Sequence, residues 1–97
     1  MIKPEQVIKA VAEYYNLSDY DCTYNTCQDG NIIKGKHMTM YILNKYLNIS
    51  PNKISKYSHC KRVNIWQSIN KIQGYLDVKD EEYIDDLNAI LINLKSI

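Results

Sequence analysis

Long apolar runs are missing from this chain. The longest are only a few residues, such as Ala89-Ile90-Leu91-Ile92, where a membrane-crossing helix needs about 20. The N-terminus has no basic stretch leading into a hydrophobic one, so no signal peptide is expected. Both absences predict a soluble, cytoplasmic protein with no membrane partner. Cysteine is scarce: Cys22, Cys27 and Cys60 make no even-numbered framework and no Cys-x-x-Cys pair, which fits free thiols in a reducing compartment. Sets such as Cys22 and Cys27 with His37, or His59 with Cys60, match no structural zinc spacing. Neither a metal nor any other cofactor is expected. Gly35-Lys36-His37 with Gly30 upstream lacks the Gly-Lys-Ser/Thr that ends a phosphate-binding loop. No nucleophile, base and orienting acid can be assembled, because the histidines sit in a segment without carboxylates. The sequence therefore reads as a non-enzyme with no small-molecule substrate.

The missing carboxylates carry the first positive signal. Residues 31–76 contain Lys34, Lys36, Lys45, Lys53, Lys56, Lys61, Arg62 and Lys71, with His37 and His59, and no Asp or Glu, a net charge of +8. The flanks are acidic: two lysines against five acids in residues 1–30, and two against six in residues 77–97. The overall charge of +1 hides this segregation. A long segment without a single acid points to a polyanion as partner, since each phosphate neutralised releases counterions.

The 97 residues, 45% of them hydrophobic, suit one domain with a modest core, and their periodicity is helical throughout. Pro4 opens a helix over 4–16 that carries Val7, Ile8, Val11, Ala12 and Tyr15 at helical spacing. Ser18 and Asp21 form a capping box for a short helix over 19–25. Gln28-Asp29-Gly30-Asn31 is turn chemistry and predicts a loop to about residue 34. Met38, Tyr41, Ile42, Leu43, Tyr46 and Leu47 predict a helix over 36–48. Ser50-Pro51 starts a short helix to Tyr57 with Ile54 and Tyr57 inward, Ser58-His59-Cys60 a tight turn, and a longer helix begins near Lys61. Ile65, Ile69, Ile72 and Leu76 form its apolar stripe. Its opposite side is Cys60, Val63, Asn64, Gln67, Asn70 and Lys71, with Trp66 and Tyr75 on the flanks. Solvated helix faces usually mix Glu with Lys; one of Asn, Gln and Lys alone suits base edges and phosphates. Gly74 and Asp77 to Asp80 close this helix. The last one opens on Asp80-Glu81-Glu82, favoured by the helix dipole, and buries Ile84, Leu87, Ile90, Leu91 and Leu94. The expected architecture is an all-α bundle of five to six helices with a helix-turn-helix over residues 50–76.

Several segments resemble a known family. Ala10-Val11-Ala12-Glu13-Tyr14-Tyr15-Asn16-Leu17 resembles the opening of the C-terminal DNA-binding domain of the bacterial replication initiator DnaA. Lys34-Gly35-Lys36-His37-Met38-Thr39-Met40-Tyr41 is similar to that family's Arg-Pro-Arg-Gln-x-Ala-Met-Tyr. Ile54-Ser55-Lys56-Tyr57 through Gln67-Ser68-Ile69-Asn70-Lys71-Ile72 resembles its helix-turn-helix. The likeness spans about residues 4–76 and implies that the helix from Lys61 to Leu76 enters a major groove. It departs from the family at the signature Arg-Asp-His-x-Thr-Val, here Cys60-Lys61-Arg62-Val63-Asn64-Ile65, where cations replace the Asp and the His. The family's arginine-rich loop corresponds to Thr23 through Ile33, which has no cation.

These readings converge on double-stranded DNA binding by an accessory or regulatory factor of replication or transcription, of a kind carried by phages or mobile elements. No ATPase module is expected within these 97 residues. Lys61 and Arg62 would meet base edges or phosphates, Asn64 and Gln67 bases or backbone, and Lys34, Lys36, Lys53, Lys56 and Lys71 phosphates, with His37 and Val63 completing the DNA-facing set. The alternative is a protein-interaction module that keeps the fold without specific DNA binding and presents Trp66, Tyr57, Tyr75 and Val63 to a protein partner.

Overall fold

Local capping marks where most of the helices start. In the computed structural model, which describes residues 2–24, 29–58 and 61–95, α1 spans Pro4–Tyr15 and α2 Asp19–Thr23. Gln6 Oε1 accepts from the Lys3 N–H at 2.7 Å before α1. Ser18 and Asp21 exchange side-chain and backbone bonds, both at 3.1 Å, at the start of α2, as the capping-box reading requires. Between these helices Asn16 adopts the left-handed conformation (φ 58°), which a short polar side chain tolerates.

The expected loop up to about residue 34 is not found. Helix α3 runs Gly30–Lys45, because Asp29 is an N-cap: its carboxylate accepts from the Asn31 N–H at 3.0 Å. The Asp-Gly-Asn sequence thus launches a helix instead of turning the chain. The same helix stops three residues before the predicted end. Asn44 Nδ2 donates to the Ile49 carbonyl at 3.0 Å and Asn48 turns left-handed (φ 57°), so Tyr46, expected inward, is half exposed.

Ser50 caps α4, Pro51–Ile54, and a single 3-10 turn continues it over Ser55–Tyr57. Ile54 is buried but Tyr57 only partly so. The predicted tight turn falls on His59 and Cys60, which lie outside the described residues, as does Cys27. Helix α5 spans Arg62–Asp77 and α6 Glu81–Lys95. Gly74 lies inside α5 and does not end it; the chain turns at Lys79 (φ 59°), after which the Asp80 carboxylate accepts from the Glu82 N–H at 3.1 Å.

Among the described residues the fold is six helices and no strand. Helix α3 is its axis, packing against α1, α2, α4 and α5, while α6 closes the bundle over α1 and α5. Met38, Ile42 and Leu43 of α3 meet Val7 and Val11 of α1, Ile54 of α4, Ile65, Ile69 and Ile72 of α5, and Ile90 and Leu94 of α6 in one core. The Cα radius of gyration, 12.0 Å, is that of a fully collapsed chain of this length. No helix among the described residues is long and apolar enough to cross a membrane.

Candidate nucleic-acid interface

The three buried isoleucines of α5 fix its rotation. With Ile65, Ile69 and Ile72 against the core, Val63, Asn64, Trp66, Gln67, Asn70 and Lys71 are all exposed, as the helical period demands. Val63, Gln67 and Asn70 occupy the middle of this face and Trp66 one margin. Asn64 and Lys71 lie at the other margin, beside α3.

A cleft of about 360 Å³ separates that margin from α3, and its walls are Ile33, Lys36, His37 and Met40 of α3 and Asn64, Gln67, Ser68 and Lys71 of α5. Five residues singled out from the sequence, Lys36, His37, Asn64, Gln67 and Lys71, therefore meet at one place although up to 35 positions separate them. Among the described residues no carboxylate lines the cleft. The field there is visible in His37: burial first, then the charges of Lys71 and Lys36, push its pKa down from 6.5 to about 4. The imidazole is therefore neutral at pH 7, one ring nitrogen a donor and the other an acceptor. Ser68 closes the floor of the cleft by donating to the Asn64 carbonyl at 3.0 Å.

The remaining expected contacts lie on the α4 and α5 ends. Lys53 and Lys56 are exposed on α4 and its 3-10 continuation, and Lys61 and Arg62 are exposed at the N-terminus of α5. A helix N-terminus presents unpaired N–H groups as well as these cations, which favours phosphate.

Lys34 does not join them. Its ammonium lies 2.6 Å from Glu82 Oε1 and 3.2 Å from Asp86 Oδ2, with the side chain 14% exposed, and stands 4.6 Å above the Tyr83 ring. Burial would lower its pKa most, but hydrogen bonds to Glu82 and Asp86 and their charges outweigh that, and the net shift is upward. The phosphate contact expected of Lys34 gives way to an internal ion pair with the acidic C-terminal block. The buried Asp86 also accepts from Tyr14 at 2.6 Å and Tyr15 at 2.8 Å. Sequence reasoning missed this cluster, yet its signal was present: Asp86 falls within the apolar stripe of α6, between Tyr83 and Ile90.

The aromatic patch of the protein-interaction reading is divided. Tyr75 stacks on Tyr83 with ring centroids 4.2 Å apart, on the side of α5 away from Trp66. Val63, 61% exposed, and Trp66, 45% exposed, remain open. Cys22 is a buried free thiol whose pKa burial raises to about 11. Among the described residues no three His, Cys, Asp or Glu side chains gather as a metal site. The fold and this surface define an all-α bundle with a basic, carboxylate-free cleft beside an exposed helix. No family model and no curated protein matches the chain.

Proposed function

We propose that the chain binds double-stranded DNA, with the exposed face of α5 in the major groove and phosphates held by Lys36 and Lys71 in the cleft and by Lys53, Lys56, Lys61 and Arg62 around it. The observation that carries this is the convergence of Lys36, His37, Asn64, Gln67 and Lys71 on one carboxylate-free cleft. The resemblance to the DnaA C-terminal domain supports the same placement of α5 and the same use of α4 against the backbone. The role that follows is that of an accessory or regulatory factor in replication or transcription.

A mobility-shift titration with mixed-sequence duplex at two salt concentrations tests the reading. With about six phosphates engaged, log K should fall against log salt with a slope of about −5.4. No binding at low salt would end it. The exposure of Val63 and Trp66 favours a second reading, contact with a protein, and alanine at both Lys61 and Arg62 separates the two. A folded double variant with unchanged DNA affinity would move the assignment to the second.

A further inference from the structure

We infer that the exposed face of α5 selects A·T-containing DNA, its carboxamides pairing with adenine and Val63 packing on thymine methyl groups. This rests on the DNA-binding reading above and adds the class of sequence that the surface accepts.

Three carboxamides cross the exposed face obliquely, from Asn64 at the cleft margin through Gln67 to Asn70 in its middle. Asn64, Gln67 and Asn70 repeat every three residues and are all exposed. From the first to the last the helix advances about 9 Å, close to three base-pair steps of about 3.4 Å each. Each carboxamide offers one acceptor and an NH2 donor side by side, the complement of the adenine N6 donor and N7 acceptor in the major groove.

Guanine presents two acceptors there and is met by Arg or Lys. The chain has a single arginine, Arg62, at the first turn of α5, and its side chain projects toward the Trp66 margin. Lys71 lies at the opposite margin, in the cleft with Lys36. Cations therefore bracket the face and are absent from its centre. Cytosine is read by a carboxylate accepting from its N4 amine, and the face has none until Asp77, at the last turn. That carboxylate accepts from Gln73 Nε2 at 2.9 Å.

Val63 completes the match. It is a branched apolar side chain, 61% exposed, in the first turn of α5 one residue before Asn64, and no core contact requires it. The one apolar feature of a base edge in the major groove is the thymine C5 methyl. A carboxamide and an isopropyl group at adjacent positions meet the two partners of an A·T pair, or of neighbouring ones.

The test uses three 16-base-pair duplexes of mixed order without A-tracts, titrated at two salt concentrations: A·T-rich, G·C-rich, and the A·T-rich duplex with every thymine replaced by uracil. Uracil removes the methyl and leaves the minor groove unchanged, so the third duplex isolates major-groove contact. Expected are about tenfold tighter binding of the A·T-rich duplex than of the G·C-rich one, and loss of about threefold on uracil replacement. Val63→Ala, at an exposed position, should bring thymine and uracil duplexes together. Asn64→Ala with Gln67→Ala should bring A·T-rich and G·C-rich duplexes together while leaving the salt slope unchanged. Equal, salt-dependent binding to all three duplexes overturns this inference and leaves DNA binding standing. Tighter binding to G·C does the same, and absence of binding to any duplex overturns both.

Discussion

Side chains two apart on a helix point about 200° away from each other, and in α3 that rotation separates Lys34 from Lys36. The first reaches Asp86 and Glu82, the second the cleft beside α5. Identical chemistry thus acquires different consequences, and substitution should expose them. Lys34→Met should lower stability by about 2 kcal/mol, the worth of hydrogen bonds between charged groups, while the salt slope of DNA binding stays as in the parent. Lys36→Ala and Lys71→Ala should each make the salt slope shallower by about 1, and Lys71→Ala, at an exposed position, should leave the unfolding midpoint near that of the parent. Urea unfolding and salt-titrated mobility shifts read the two quantities separately. His37 gives the residue scale its pH dependence. Its native pKa is about 4 against 6.5 for the ordinary imidazole, so between those values the unfolded chain binds a proton that the native chain refuses. Stability from this group is fully present above pH 6.5 and is lost as pH falls toward 4. Urea unfolding at pH 7 and pH 5 should show a smaller drop in His37→Gln than in the parent.

At the scale of the element, most starts and the ends of α1 and α5 were legible to within a residue or so, while both ends of α3 were not. Starts depend on short side-chain patterns: Ser18 with Asp21, Ser50 before Pro51, and Asp80 before two glutamates each mark a helix that forms. The exception, Asp29-Gly30, shows why pattern alone is ambiguous, since the same residues serve turns and N-caps. Three stops use non-glycine residues in the left-handed conformation, Asn16, Asn48 and Lys79, while the glycines lie within helices. Lys79 is the least suited, as a long side chain gains nothing locally from that geometry. Lys79→Gly should therefore raise stability by about 1 kcal/mol, offset in part by added freedom in the unfolded chain. An unfolding midpoint that falls would mean that Lys79 makes contacts worth more than the strain. The exposed face of α5 was legible because burial of one isoleucine stripe determines the opposite side by period alone. The cleft beside it was not: the packing of α3 on α5 joins positions far apart in sequence, and no periodicity encodes that pairing.

For the whole molecule, the segregation of charge along the chain is partly undone by folding. The acidic C-terminal helix turns back on the basic segment at Lys34, and Tyr14 and Tyr15 of α1 donate to the same carboxylate. Asp86 thereby joins α1, α3 and α6 through one buried acid, with the hydroxyl of Tyr15 held above its ordinary pKa by burial and by its bond to Asp86. Removing the acid leaves an ammonium and two phenols without their shared acceptor, so Asp86→Ala should cost about 3 kcal/mol. Removing Lys34 as well should restore part of that loss, because a half-buried cation then held by the exposed Glu82 alone leaves with it. A double-mutant cycle of Asp86→Ala and Lys34→Met should give a coupling of about 1–2 kcal/mol, measured by urea unfolding. Additive losses would show that the two side chains are stabilised independently and that Lys34 is only incidentally close. DNA affinity of the folded Asp86→Ala chain should be unchanged, since the acid lies across the bundle from the α3–α5 cleft, and a change in affinity would place the recognition surface nearer α6 than the cleft does.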